Sequence, residues 1–221
     1  MGRIGRVLST VGALLIITPA MGDDHGAKAS RSLDLTGFQG VEIAGVFNLE
    51  IVVGADYSIE LTGTAAELNR VEARVANGVL TLDQRKRRRS EKKKRLGHNG
   101  GVDARIELPA LNTLDISGVV DGSVLGVDAD VFDIDITGVG DIKLSGACRS
   151  LDATVSGVGD LDARALECGA VKVRVSGVGD ATVFAANEVD ARVSGMGDID
   201  VYGEPEKIKK SDSIFAEVTI H

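Results

Sequence analysis

Five residues in this chain keep returning. Thr137-Gly138-Val139-Gly140-Asp141 recurs as Ser156-Gly157-Val158-Gly159-Asp160, as Ser176-Gly177-Val178-Gly179-Asp180 and as Ser194-Gly195-Met196-Gly197-Asp198. A worn copy, Ser117-Gly118-Val119-Val120-Asp121, precedes them. The copies begin at 117, 137, 156, 176 and 194, so the spacings are 20, 19, 20 and 18 residues. Self-similarity at that period means one small structural unit stacked on its own neighbours.

The residues between the copies say what that unit is. Leu114 and Ile116, then Phe132, Ile134 and Ile136, then Leu151, Ala153 and Val155 take alternate positions before a corner. Val171, Val173 and Val175 do the same, as do Val189, Ala191 and Val193. Past the corners Ile142 and Leu144, Leu161 and Ala163, Ala181 and Val183, and Ile199 and Val201 resume the alternation. A period of two places these residues on one face of a strand, with Asp133, Asp135, Asp152, Thr154, Lys172, Arg174, Asp190 and Arg192 on the other. The expected fold is all-β: a parallel β-helix (solenoid) of strand, glycine corner, strand and return, right-handed by the general rule for parallel crossovers. At about 4.8 Å per layer, five coils make a column roughly 20–25 Å tall. The composition agrees, with 28 Gly and no Trp; small β-branched residues and glycine suit thin strands with tight corners.

The remainder of the chain divides as follows. Residues 1–20 read as a signal peptide: Arg3 and Arg6, an apolar run from Val7 to Ile17, then Thr18-Pro19-Ala20. Residues 21–32 are polar and small and read as a disordered leader. Residues 33–108 form an N-terminal β-rich cap region. There Thr64-Ala65-Ala66-Glu67 has capping-box spacing, Asn77-Gly78 marks a hairpin, and Ala44-Gly45-Val46-Phe47-Asn48 resembles a degenerate corner. Residues 109–202 are the solenoid repeats, and 203–221 a C-terminal cap or tail. Within the cap region a basic loop spans 85–101. Arg85, Lys86, Arg87, Arg88, Arg89, Lys92, Lys93, Lys94 and Arg95 stand there against the single acid Glu91. The chain as a whole carries −8, so the rest of it carries −16.

In the order of its parts the chain resembles the head GIN domain family, labelled "putative auto-transporter adhesin". The resemblance rests on Val41-Glu42-Ile43-Ala44-Gly45-Val46-Phe47, on Asn77-Gly78-Val79-Leu80-Thr81-Leu82, on the entry Leu108-Pro109-Ala110-Leu111-Asn112-Thr113-Leu114-Asp115-Ile116-Ser117-Gly118, and on the iterated Ser-Gly-x-Gly-Asp. It covers about residues 33–202 and implies an exported bacterial β-solenoid, with no catalytic residues to carry over. Val120, where a corner glycine is expected, and the strongly basic 85–95 depart from it.

Three constellations bear on chemistry. The corner aspartates, led by Asp121 and followed by Asp141, Asp160, Asp180 and Asp198, are candidate metal ligands, since carboxylates at layer spacing suit Ca²⁺. The calcium-binding nonapeptide, however, separates its Asp from the second glycine, and a turn-stabilising role is the simpler reading. Cys148 and Cys168 are the two cysteines. Each lies eight residues before a corner Ser, so they fall side by side in adjacent coils, within disulfide reach and in an oxidising compartment; the alternative is a pair of buried thiols. The basic residues of 85–95 are candidates for contact with an anionic surface. Nucleic acid is excluded for want of an aromatic or groove-reading element beside them.

The function expected is an exported, non-enzymatic, adhesin-like binding or structural module of the bacterial cell envelope: periplasmic, outer-membrane-associated or extracellular. No cofactor is called for. Partners of the right kind are an envelope glycan, lipid head groups or a protein; the residues do not specify an oligomeric state. The alternatives are a carbohydrate-active enzyme built on a β-helix and a Ca²⁺-dependent repeat protein.

Overall fold

The computed structural model describes residues 28–84, 101–212, 214 and 216–221. The expected signal peptide, the leader up to residue 27 and the basic residues 85–95 lie outside them. The described residues are all-β, with fifteen strands in a single large mixed sheet and one helix of four residues.

The glycine repeats occupy four long strands, β9 (Val119–Ile136), β10 (Ile142–Val155), β11 (Leu161–Val175) and β12 (Ala181–Val193). Each runs from one corner to the next and pairs in parallel with its neighbours, so Leu151 lies between Phe132 and Val171, and Ala153 between Ile134 and Val173. Midway the register slips, between Lys143 and Ser145 against β11 and between Leu144 and Gly146 against β9. The two halves of a long strand therefore have different partners at the ends of the stack. The first half of β9 pairs with β3 (Val46–Val53) and its last residues with β8 (Thr113–Ile116). Likewise β12 pairs first with β13 (Ile199–Tyr202) and then with β14 (Lys207–Ser211). All the alternating aliphatic residues expected to point inward are buried, from Leu114 to Val201. They are slim side chains, and the core they form is correspondingly thin.

Toward the N-terminus the parallel pairing continues for two further layers. β2 (Gly40–Ala44) and β3 flank Gly45, with β2 beside β8. The amides of Ser117 and Val119 donate to the carbonyls of Ile43 and Gly45 at 3.0 and 2.6 Å. The next two strands still pair in parallel with β2 and β3, and only their outer partners are antiparallel. β6 (Val79–Gln84) lies parallel to β2 but antiparallel to β5 (Val71–Ala76). The hairpin between β5 and β6 turns on Asn77 and Gly78, both at positive φ (53° and 77°), as an Asn-Gly turn requires. On the other side β7 (Val102–Leu108) pairs with β3 and, in the opposite sense, with β4 (Ser58–Thr64). Helix α1 (Ala65–Leu68) starts at the Thr64–Glu67 capping box.

One expectation is corrected here. Residues 28–32, read from composition as part of a disordered leader, belong to β1 (Lys28–Leu33), which pairs antiparallel with β4. Two tertiary effects outweigh the polar composition. The backbone of β1 is satisfied by a sheet edge, and Arg31 donates to the carbonyls of Leu68 and Val71, both at 3.1 Å.

At the opposite end, β14 and β15 (Val218–Ile220) add a last pair of strands to β12 and β13. Lys207, Lys209 and Lys210 stand exposed along β14, and lysine on an outer strand discourages further strand pairing. His221 closes the chain end, its Nε2 at 2.7 Å from Asp200 Oδ1 and its ring stacked on Tyr202 at 4.6 Å.

Candidate functional site: the stacked corners

Why glycine is needed at the corners is evident from their spacing. A Cβ on Gly157 would collide with the carbonyl oxygen of Gly138, and one on Gly177 with that of Gly157. Gly159 sits at φ 139°, outside the range that side chains tolerate. With no side chain between them, the corners close up until their backbones bond directly. The amide of Val158 donates to Gly138 and its carbonyl accepts from Gly140, both at 3.0 Å; Val178 and Met196 repeat the pattern. The amide and carbonyl of the middle residue of these corners are thus used within the stack.

The corner aspartates follow the same logic. Asp121 Oδ1 accepts from the amide of Asp141, Asp141 from Asp160, Asp160 from Asp180, and Asp180 from Asp198, at 2.8–3.1 Å. Asp198 continues the series to the amide of Glu217 at 2.9 Å. Each carboxylate therefore holds the next layer in register, and charge-assisted bonds of this kind are stronger than neutral ones. Among the described residues no group of three or more His, Cys, Asp or Glu converges where a metal ion would sit.

Cys148 and Cys168 face each other in register across β10 and β11, with Cα atoms 4.5 Å apart, and are joined by a disulfide. Cys168 is buried and Cys148 partly so. The nine basic residues of 85–95 are outside the described residues; their flanks, Gln84 and Gly101, both lie next to the first corner, at Gly45 and Val46.

The residues that sequence reasoning passed over are those between the two glycines. Val119, Val139, Val158, Val178 and Met196 form a chain of parallel bridges, and with Val46 they are 38–57% exposed. Beside them run Ser117, Thr137, Ser156, Ser176 and Ser194. Ser117 and Thr137 donate to the carbonyls of Ile43 and Ile116. The hydroxyls of Ser156, Ser176 and Ser194 have no partner among the described residues. Together these rows line a groove of about 1440 Å³ that crosses six layers from Val46 to Met196. Its signal in the sequence was the apolar residue kept at a position that the alternation turns outward.

Residues 37–205 match the family described as "Putative auto-transporter adhesin, head GIN domain". A crystal structure of a "putative adhesin" from Bacteroides fragilis is 23% identical, covers 88% of this chain and 97% of its own, and superposes with a TM-score of 0.71. That likeness is one of fold. A "putative adhesin" from Parabacteroides merdae is 14% identical, with 88% and 95% of the two chains covered and a TM-score of 0.49. No curated protein matches the chain.

Proposed function

The chain belongs to the head GIN domain family, and on that premise we propose that it is an exported, non-enzymatic binding or structural module of the bacterial envelope that makes contact through its corner groove. In this reading the repeats are successive coils of a right-handed parallel β-helix. The antiparallel strands before residue 109 and the strands after 202 cover its two ends, and residues 1–20 direct export. A Cys148–Cys168 bridge fits an oxidising compartment.

The observation that carries the reading is the exposed row from Val46 to Met196. Isolated apolar side chains on a surface need no explanation, but a continuous line of them walled by hydroxyls marks a contact surface. A layer spacing of about 4.8 Å offers the same pair of groups, a methyl-bearing side chain and a hydroxyl, at each step. That favours an extended, repetitive partner such as an envelope glycan over a compact ligand.

The test is a glycan array and an envelope pull-down with the wild type and with the double variant Val139→Asp/Val158→Asp. Both positions are exposed, so the variant keeps its fold, and capture falls roughly tenfold or more if these residues lie at the centre of the contact. Equal capture by both proteins would remove the groove from the account. Turnover of an acidic polysaccharide would replace the binding module with an enzyme.

A further inference from the structure

On the outward face of the strands that precede each corner, the charges are arranged with an internal two-fold relation. One row passes through directly paired neighbours in the order Glu42, Asp115, Asp135, Thr154, Arg174, Arg192. It is acidic before Thr154 and basic after it. The adjacent row runs Asp133, Asp152, Lys172, Asp190, with Lys172 bonded to Asp152 at 2.7 Å. The acidic half has no cation against it among the described residues; Glu42 accepts only from Thr81 Oγ1 at 3.0 Å. Like charges directly opposite each other on neighbouring strands are unfavourable. The basic half is held by exchangeable contacts, Arg174 to Asp152 at 3.0 Å and Arg192 to Asp190 at 2.8 Å. Partly exposed pairs of this kind contribute little and re-partner readily.

From this arrangement we infer that the face is self-complementary and docks on the same face of a second copy, with the two stacks antiparallel. A two-fold axis along the Thr154 strand inverts the order of the row while keeping each residue at its place along the strand. Asp135 then meets the partner copy's basic half at position 174, Asp115 meets it at position 192, and Asp133 meets it at 172, while Asp152 falls opposite its own copy on the axis and Glu42 opposite position 211. The inference needs only the observed strand pairing, not the wound-column reading, and it is independent of the groove. Five strands about 4.8 Å apart and four residues deep give a footprint of about 300 Å² per copy, well under that of a stable dimer. The association is accordingly weak and sensitive to salt. Because the axis runs along the strands, both corner grooves fall on the same edge of the pair, which doubles the contact surface open to an extended partner.

Sedimentation velocity on the mature chain tests this. The wild type shifts toward dimer as its concentration rises at low ionic strength, and returns to monomer in high salt. Asp135→Arg alone and Arg174→Asp alone are each monomeric, because each sets like charges against each other twice. Mixed in equal amounts they form a heterodimer, since both contacts are then of opposite sign. Asp115→Arg with Arg192→Asp repeats the experiment should one of the first pair fail to fold, as judged by circular dichroism. A wild type that stays monomeric throughout, single variants that associate like the wild type, or a mixture that stays monomeric overturns the inference. Association through the basic run 85–95 is also salt-sensitive, but it gives no reciprocal rescue.

Discussion

Asp115 shows how a repeated face concentrates charge on one residue. It sits between Glu42 and Asp135 on neighbouring strands, close to Asp133. Its carboxyl is pushed above the usual carboxylate range, first by partial burial and then by Asp135, Glu42 and Asp133. A raised value means that the folded chain holds this proton more tightly than the unfolded chain does. The favourable contribution is therefore complete below the unfolded carboxyl value and is lost as pH rises through the folded one. At neutral pH the ionised group opposes folding. Asp115→Asn should then stabilise the monomer by roughly 0.2–1 kcal/mol, the range of cross-strand charge pairs, toward the lower end because solvent screens the site. The gain should vanish at about pH 3, where the wild-type group is protonated as well. Urea unfolding of both proteins at the two pH values measures it, and an equal difference at both would show that the carboxyl's charge is not the cause.

Between neighbouring strands, the pairing Cys148–Cys168 has a measurable counterpart. The bridge spans 20 residues and ties β10 to β11 at the bend between their two halves. Closing a loop of that size is worth about 3 kcal/mol through the unfolded chain. Cys148→Ala/Cys168→Ala should lower Tm by about 6–12 °C for a chain of this length, and thiol titration of the oxidised protein should find no free sulfhydryl. Two titratable thiols, or a Tm within about 2 °C of the wild type, would return these residues to the alternative of buried thiols. That pairing was legible in advance because both cysteines stand at the same distance from a repeated motif, and a repeat turns sequence distance into register. The Asn77-Gly78 hairpin and the Thr64–Glu67 cap were legible for a different reason, being local devices written in adjacent residues. β1 was not. Lys28–Leu33 lacks an apolar alternation, and its place is set by β4, some thirty residues away, and by the reach of Arg31. The antiparallel pairing of β4 with β7 was equally out of reach. The valine row was visible as letters, but its exposure depends on glycines that let the corners close up and on neighbours that only the stacked chain supplies.

Across the described residues, each repeat strand bonds to the one before it and the one after it, and β10 pairs with β9 and β11. Stability in such an arrangement is close to a sum of neighbour interfaces, so the ends open before the middle. The two ends are unlike. At the N-terminal side antiparallel strands, α1 and the larger core residues Phe38, Phe47 and Leu68 back the first parallel layer. At the C-terminal side β14 has every residue exposed, β15 is three residues long, and Ile214 is 93% exposed. Amide hydrogen exchange on the native protein should therefore give a one-sided gradient. Protection should be weakest in β14 and β15, rise through β13 and β12, and reach its highest values in β10, β9 and β3. The corner amides of Val139, Val158, Val178 and Met196 should follow the order of their layers, because each donates to the layer before it. Strand residues that all exchange through one common opening would instead describe a single cooperative block. The neighbour-by-neighbour account would then fail.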